Sequence, residues 1–381
     1  MSHVVVPLTA EFLALAGAAE SVLGVAAVAR FARQPKAAAT QLPPITILKP
    51  LYGDEPLLER ALASFCAQDY PAFQIVFGVQ DPHDPAIRII ERLRQRFADV
   101  AIDLVIDQRK RGPNRKIGNL LNMVGLARHE LLVISDSDIH AAPDLLRHIA
   151  AQMALPDAGL VTCLYNGLPA NRTPAALLGA TQINHVFLPG TLLARGLGRK
   201  DCLGAVMALR QTDLAAIGGL EALLPYLADD AILGQKIAGL GKRVLLARSV
   251  VSTTVPESRL AQLWQHELRW ARTIRSLAPV PYAASILQYP LFFALFALVS
   301  SHMKLWSVGL FAAVWLFRAL AGCAVDMQLG LRHLPVFALL PLRDCLSAAL
   351  VICAFMGSKV SWRGESLSTV PNLVSHEGSS P

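Results

Sequence analysis

The chain has 381 residues, enough for one catalytic domain of roughly 200–250 residues and a membrane part beside it. Its hydrophobic fraction of 54% and mean hydropathy of +0.44 are high for a wholly soluble enzyme, and the apolar excess sits at the two ends. The formal net charge of +7 suits anionic lipid headgroups, and with no basic stripe interleaved with aromatics it does not point to nucleic acid. Cys66, Cys163, Cys202, Cys323, Cys345 and Cys353 show no Cys-x-x-Cys and no His-paired metal spacing, and the first three, inside apolar strings of the soluble part, fit buried thiols in a reducing compartment.

From Leu8 to Val28 the chain is apolar for about the ~20 residues that cross a bilayer. Arg30, Arg33 and Lys36 follow, placing that end in the cytoplasm by the positive-inside rule. A cleaved signal peptide would need a basic region first, and only His3 precedes the run. The expected first unit is therefore a transmembrane helix over 1–33, followed by a linker over 34–43. Glu20 lies deep in that helix, where a lone carboxylate is costly, and Gly17 and Gly24 share its face. This small-residue stripe predicts packing against another membrane helix, with Arg318 or Arg343 as the expected partner of Glu20.

The segment 44–279 alternates strand and helix. Strand-like runs are Ile45–Leu48, Gln74–Val79, Ile102–Ile106, Glu130–Ser135 and Gly159–Tyr165, with helix-compatible stretches such as Pro56–Cys66 and Pro85–Phe97 between them. Continuous apolar strands imply burial on both faces, hence a mostly parallel, doubly wound α/β sheet that binds ligands at the carboxyl ends of its strands.

Those ends carry acids. Asp81 follows one strand, although its DPHDP context equally suits a plain surface turn. Asp136-Ser137-Asp138 ends another; alternate positions face one way in a strand, so both carboxylates are expected to meet one Mg²⁺ or Mn²⁺ ion. Before it, a Gly112-Pro113 turn leads into a helix beginning near Asn114, whose N-terminus with Arg115 and Lys116 offers an anion site or a capped surface helix. Asp229-Asp230 opens an amphipathic helix, as the helix dipole favours, and one of the two carboxylates could serve as a general base. Gln265–Arg275 is expected as a helix leading to the membrane, with Arg269 beside Trp270. The segment 174–198, with His185, is too broken to span but apolar enough to lie at the interface and border a lipid access path.

Apolar blocks then run over Val280–Val299, Leu305–Val325 and Leu334–Met356. The first two read as spanning helices over the expected membrane region 280–356. The third is interrupted by Arg343-Asp344 and is expected to be re-entrant, kinked or packed deep in a bundle. A polar, poorly ordered tail is expected over 357–381.

The order Asp81, Asn114-Arg115-Lys116, Asp-Ser-Asp, Asp-Asp, Arg269-Trp270 resembles the ceramide glucosyltransferase family, glycosyltransferase family 21. The strings ILKPLYG, NRKIGNLLNM, LVISDSDI and HELRWARTIR look most like its bacterial hopanoid-associated members. One departure is HELRW, which puts His266 where the family carries Gln or Arg, with Gln265 one residue early. The resemblance implies a GT-A-like nucleotide-diphospho-sugar transferase domain, multi-pass in a bacterial inner membrane, catalytic side cytoplasmic. It assigns Asp81 to the nucleotide and Asp136 and Asp138 to a diphosphate-bound divalent metal. Lys116 joins the donor site, Asp230 becomes the base, and Arg269 and Trp270 hold the diphosphate and acceptor end. Gly204 and Ala205 let the donor sugar approach the backbone, and His185 and His266 fall on the acceptor side. The implied reaction is inverting transfer of N-acetylglucosamine from UDP-N-acetylglucosamine to a hopanoid polyol. Glucosylation of ceramide from UDP-glucose, polysaccharide synthesis, and a non-catalytic lipid-binding membrane protein stand as alternatives; the second needs more membrane helices than this chain offers.

Overall fold

Runs of apolar residues with no polar alternation need cover on both faces, and the sheet supplies it. The computed structural model describes residues 2–34, 41–332, 334–357, 359–362 and 365–368. Its strands are β1 (Ile45–Pro50), β2 (Phe73–Val79), β3 (Ala101–Ile106), β4 (Leu131–Ser135), β5 (Ile139–His140), β6 (Ala158–Pro169), β7 (Val206–Arg210) and β8 (Arg243–Val255). They form one sheet in the order β3-β2-β1-β4-β7-β6-β8-β5. Every position of β1 and β4 is buried.

In chain order the helices are α1 (Ser2–Arg33), α2 (Leu58–Cys66), α3 (Ala86–Arg96), α4 (Arg115–Met123), α5 (Leu145–Met153), α6 (Pro174–Gln182) and α7 (Leu188–Gly196). Then come α8 (Gln211–Ala216), α9 (Asp229–Gly239), α10 (Leu260–Leu277), α11 (Pro279–Ala284), α12 (Pro290–Ser300), α13 (Leu305–Leu329) and α14 (Leu340–Ala354). Helices α2, α3 and α5 cover the sheet face of Ile45, Ile47, Ile75 and Phe77. Helices α4, α8 and α9 cover the opposite face, that of Leu48, Val76, Leu132 and Ile134.

The sheet is mostly parallel, as expected, with two antiparallel strands set into it. Strands β1–β2, β1–β4, β2–β3 and β6–β8 pair parallel, but β7 lies antiparallel between β4 and β6, and β5 antiparallel on β8. An apolar run carries no record of its direction, so the reversal was not visible in the sequence. Its consequence is local. With Ser135 paired to Val206, the start of β7 lies against the carboxyl end of β4.

Among the described residues three helices are long and apolar enough to cross a membrane: Val6–Arg33, Leu305–Leu329 and Phe337–Ala354. The block beginning at Val280 is not one straight span, because Pro279–Gln288 and Pro290–Ser300 meet at a 64° bend. Pro290 lacks the N–H that would continue the helix through Tyr289. Conversely, α14 runs unbroken through Arg343 and Asp344, whose charges are matched within the protein. Arg343, fully buried, donates to both carboxylate oxygens of Glu267 at 2.9 and 2.8 Å and to Ser347. Asp344 accepts from the Leu291 N–H at 3.1 Å and lies 3.6 Å from Arg318. Glu20 therefore pairs with neither arginine: its carboxylate accepts from the Gln288 amide at 3.1 Å. The small-residue stripe does pack as expected, Gly17 on Leu287 and Pro290, Gly24 on Pro189.

The segment expected at the interface is nearly continuous helix, α6 and α7 joined by a π-helical turn (Ile183–Phe187), packed on β6 and α1. The expected linker and tail fall largely outside the described residues, but Lys359–Trp362 (β9) and Glu365–Ser368 (β10) form an antiparallel pair. Replacing Glu267 by Ala leaves the Arg343 guanidinium buried without its carboxylate. The expected cost is about 3 kcal/mol, read as a lower Tm in detergent; an unchanged Tm contradicts this role for the pair.

Candidate active site

The carboxyl end of β4 gathers most of the acids that the sequence singled out. Asn114 caps α4, accepting from the Ile117 N–H at 3.1 Å, and so fixes where Lys116 enters. The Lys116 ammonium lies 2.7 Å from Asp136 Oδ1 and 3.6 Å from Asp229 Oδ2. Burial works against that ammonium, but Asp136 and Asp229 outweigh it and hold its pKa above the usual lysine value. Asp229 also accepts from the Asn114 side-chain amide at 3.2 Å. Lys116 thus ties the end of β4 to the first turn of α9.

Asp136 and Asp138 lie beside one another just past the strand. Strand β4 stops at Ser135, so each carboxylate finds its own partner in the following turn. Asp138 is held by the Thr253 hydroxyl of β8, at 2.5 Å. Burial, with Asp136 beside it, pushes its carboxyl up to about 7. Lys49, buried in β1, donates from Nζ to the Asp136 carbonyl at 2.7 Å and to Ser135 Oγ at 3.1 Å, and stands 3.7 Å over the Phe65 ring. Burial lowers its ammonium to about 7 despite the attraction of Asp138, Asp136 and Glu55. Glu55 in turn accepts from Ser137 Oγ at 2.6 Å.

Because β7 runs antiparallel to β4, the residues before it reach the same place. The Asp136 N–H donates to the Ala205 carbonyl at 3.3 Å. A Cβ on Gly204 would meet Asp230 Oδ2 at 3.0 Å, so glycine lets this carboxylate lie against the backbone. Burial and then Asp229 raise the Asp230 carboxyl to about 6, opposed by Lys116. Tyr165 is half-buried on β6, its hydroxyl pKa raised by loss of hydration and then by Asp230, Asp136 and Asp138.

The structure thus joins Lys116, Asp136, Asp138, Gly204, Ala205 and Asp230 in one cluster. Asp81 lies exposed beyond β2, its carboxylate accepting from the His83 N–H at 2.8 Å in a local turn. Arg269, Trp270 and His266 belong to a second group on α10. There His266 Nδ1 contacts the Glu257 carboxylate and its ring meets Trp270 edge-on at 4.6 Å. His185 turns into the helix bundle, where Nε2 lies 2.8 Å from Asp326 of α13 and both side chains are buried. Sequence reasoning missed Lys49, Glu55 and Thr253. A lysine inside the fully buried ITILKP strand was the available signal for the first; the other two carry none.

Among the described residues no three His, Cys, Asp or Glu side chains are grouped to hold a metal. Asp136 and Asp138 can supply two carboxylates, with the rest of a coordination shell left to substrate phosphates and water, as magnesium sites commonly are.

The family described as glycosyl transferase family 21 matches residues 9–372. The chain belongs to glycosyl transferase family 21. It is 24% identical over 210 residues to ceramide glucosyltransferase 1 of Caenorhabditis elegans, covering 54% of this chain and 44% of that one. It is 31% identical over 116 residues to a Candida albicans ceramide glucosyltransferase, covering 27% and 21%. The chain thus spans less than half the length of these curated relatives. In three dimensions it is similar to a mannosyltransferase of Pyrobaculum calidifontis solved with GDP-Man and Mn²⁺. The TM-score is 0.50 and the identity 20%, over 91% of this chain and 98% of that one, a likeness of fold. The family 21 domain is therefore GT-A-like, with candidate membrane helices on both sides. Gly204→Val should displace Asp230 and lower sugar transfer at least about tenfold with circular dichroism unchanged; wild-type turnover contradicts the packing of Asp230 on this glycine.

Proposed function

We propose that this family 21 protein is an inverting glycosyltransferase that moves a sugar from a UDP-sugar to a lipid hydroxyl at the cytoplasmic face of a membrane. The observation that carries this reading is the Lys116 bridge, which joins the acids at the end of β4 to the helix that presents Asp230. In this reading residues 44–279 form the catalytic domain, and 1–33 and 280–356 the membrane part. The basic last turn of α1, Arg30 and Arg33, supports the cytoplasmic side.

Each residue has a chemical task. Asp230 is the acid with the raised pKa beside a glycine gap, placed to take the proton from the acceptor hydroxyl. As that oxygen bonds to the anomeric carbon, the bond from this carbon to the diphosphate oxygen breaks on the opposite side, inverting the centre. Lys116 supplies positive charge near the leaving diphosphate, and Asn114 and Asp229 hold Lys116 in place. The all-oxygen donors of Asp136 and Asp138, in a cluster with more carboxylates than ammonium groups, fit a hard divalent cation. Mg²⁺ or Mn²⁺ held there would neutralise the diphosphate and stabilise its departure. Asp81 is assigned to the nucleotide, and Arg269, Trp270 and His266 to the diphosphate and acceptor end.

For the substrates, resemblance to hopanoid-associated members favours N-acetylglucosamine transfer to a hopanoid polyol. The ceramide glucosyltransferase relatives favour glucose transfer to ceramide. Purified protein assayed with UDP-glucose and UDP-N-acetylglucosamine against both lipids separates the two. Turnover on neither pair, with Mg²⁺ or Mn²⁺ present, refutes the reading and leaves a non-catalytic lipid-binding protein.

Two variants test the roles. Asp230→Asn should abolish transfer, on the order of 10³-fold or more, while still binding UDP-sugar; retained turnover refutes the base. Asp138→Ala should instead weaken UDP-sugar binding. The pH profile follows from the raised Asp230 pKa. The base is charged above about 6 and protonated below it, so kcat/KM should fall about tenfold per unit as pH drops below about 6. An acid limb near 4 contradicts the assignment.

A further inference from the structure

The helix bundle contains a polar cleft that the proposed chemistry does not use. It is lined by Glu20, Ser21, Gly24, His185, Gln288 and Arg318, among others, and measures about 30 Å³. That is room for one water-sized polar group. Glu20 and Ser21 are only half-buried, so the cleft opens at the outer surface of the bundle.

Ionisable groups inside a membrane bundle are costly and by default mark function. Here the charges leave one position open. The Gln288 amide donates to Glu20, and Arg318 reaches the His185 carbonyl through Nη1 at 3.4 Å and Asp344 through Nε at 3.6 Å. Arg318 Nη2 meets no hydrogen-bond acceptor among the described residues, although the residue is only 2% exposed. A buried guanidinium nitrogen without an acceptor is a standing penalty that a bound group would relieve.

The cleft also adjoins the site at the end of β4. Val25 and Val325 line it and belong to the apolar cluster that contains Leu203, next to Gly204, and Tyr165. Glu20 precedes Arg30 by ten residues, about 15 Å along α1, so the cleft lies deeper along the helix than its basic end.

We infer that this cleft anchors a hydroxyl or amide set back along the acceptor lipid from the hydroxyl that reacts. The inference rests on the lipid-acceptor reading above. The occupant is neutral, because the cleft offers donors from Arg318 and Gln288 together with the Glu20 carboxylate, which would repel a phosphate. A small volume admits one such group and no sugar ring. Acceptor choice then depends on an inner polar group as well as on the reactive terminus.

The test uses full-length protein in detergent with two matched lipid pairs. One pair is a ceramide and a long-chain alcohol of equal length; the other is a hopanoid polyol and its analogue bearing only the terminal hydroxyl. On the pair that the wild type glycosylates, KM for the lipid with the inner polar group should be about tenfold lower. Gln288→Leu and Ser21→Leu should each collapse that ratio towards one. Independently of turnover, the same lipid carrying a diazirine beside its inner polar group should crosslink to peptides of α1 or α13. A wild type that does not discriminate, or a ratio that survives both variants, means the cleft holds only water and overturns the inference. No turnover on either pair overturns the transfer reading itself, a distinct result.

Discussion

The arrangement depends on one electrostatic constraint. Glu55, Asp136, Asp138, Asp229 and Asp230 converge on one end of the sheet, with Lys49 and Lys116 as the ammonium groups set among them. Acids so close resist charging together. Removal from water first, and then the neighbouring carboxylates, make Asp138 and Asp230 hold their protons to higher pH than free carboxylates do. The two lysines act differently. Lys49 pins the β4 turn from the neighbouring strand through a carbonyl and a hydroxyl, whereas Lys116 bridges two carboxylates that belong to different elements. A further positive charge is what this site lacks and what a cation accompanying a diphosphate would bring.

The same economy of charge organises the helices beside it. Glu267 lies two residues before Arg269 on α10 and takes Arg343 of α14, while Asp344 next to it takes Arg318 of α13 and the first turn of α12. The helix that carries Arg269 and Trp270 is thereby fastened to the bundle, and the bundle to α1 through Glu20 and Gln288. Domain and bundle meet through Val28, Leu164, Leu188 and Leu203, so the acid cluster and the candidate membrane helices share one apolar seam.

Much of this was legible in the sequence where a physical signal is local. Unbroken apolar runs marked β1, β2, β4 and β6 because burial on both faces leaves no polar alternation, and the turn at Gly112-Pro113 with the Asn114 cap marked α4. Strand β8 escaped notice because its Ser and Thr residues alternate between buried and half-buried positions and dilute the run. The direction of β7, the Gln288 partner of Glu20 and the unbroken course of α14 depend on contacts remote in sequence. No pattern near Arg343 announces that Glu267 will neutralise it. The site was legible as a set of acids at strand ends, and a lysine inside the apolar run of β1 was a signal for Lys49, whereas Glu55 and Thr253 depend on contacts remote in sequence.

The claim that surplus carboxylate charge makes this a cation-dependent diphosphate site can be measured directly. Isothermal titration of UDP into the purified protein, once with Mg²⁺ or Mn²⁺ and once with a chelator, isolates it from any lipid or turnover. UDP should bind with the cation and lose most of its affinity in the chelator, as expected where two carboxylates and a diphosphate share one metal. Equal affinity in the chelator would contradict the account.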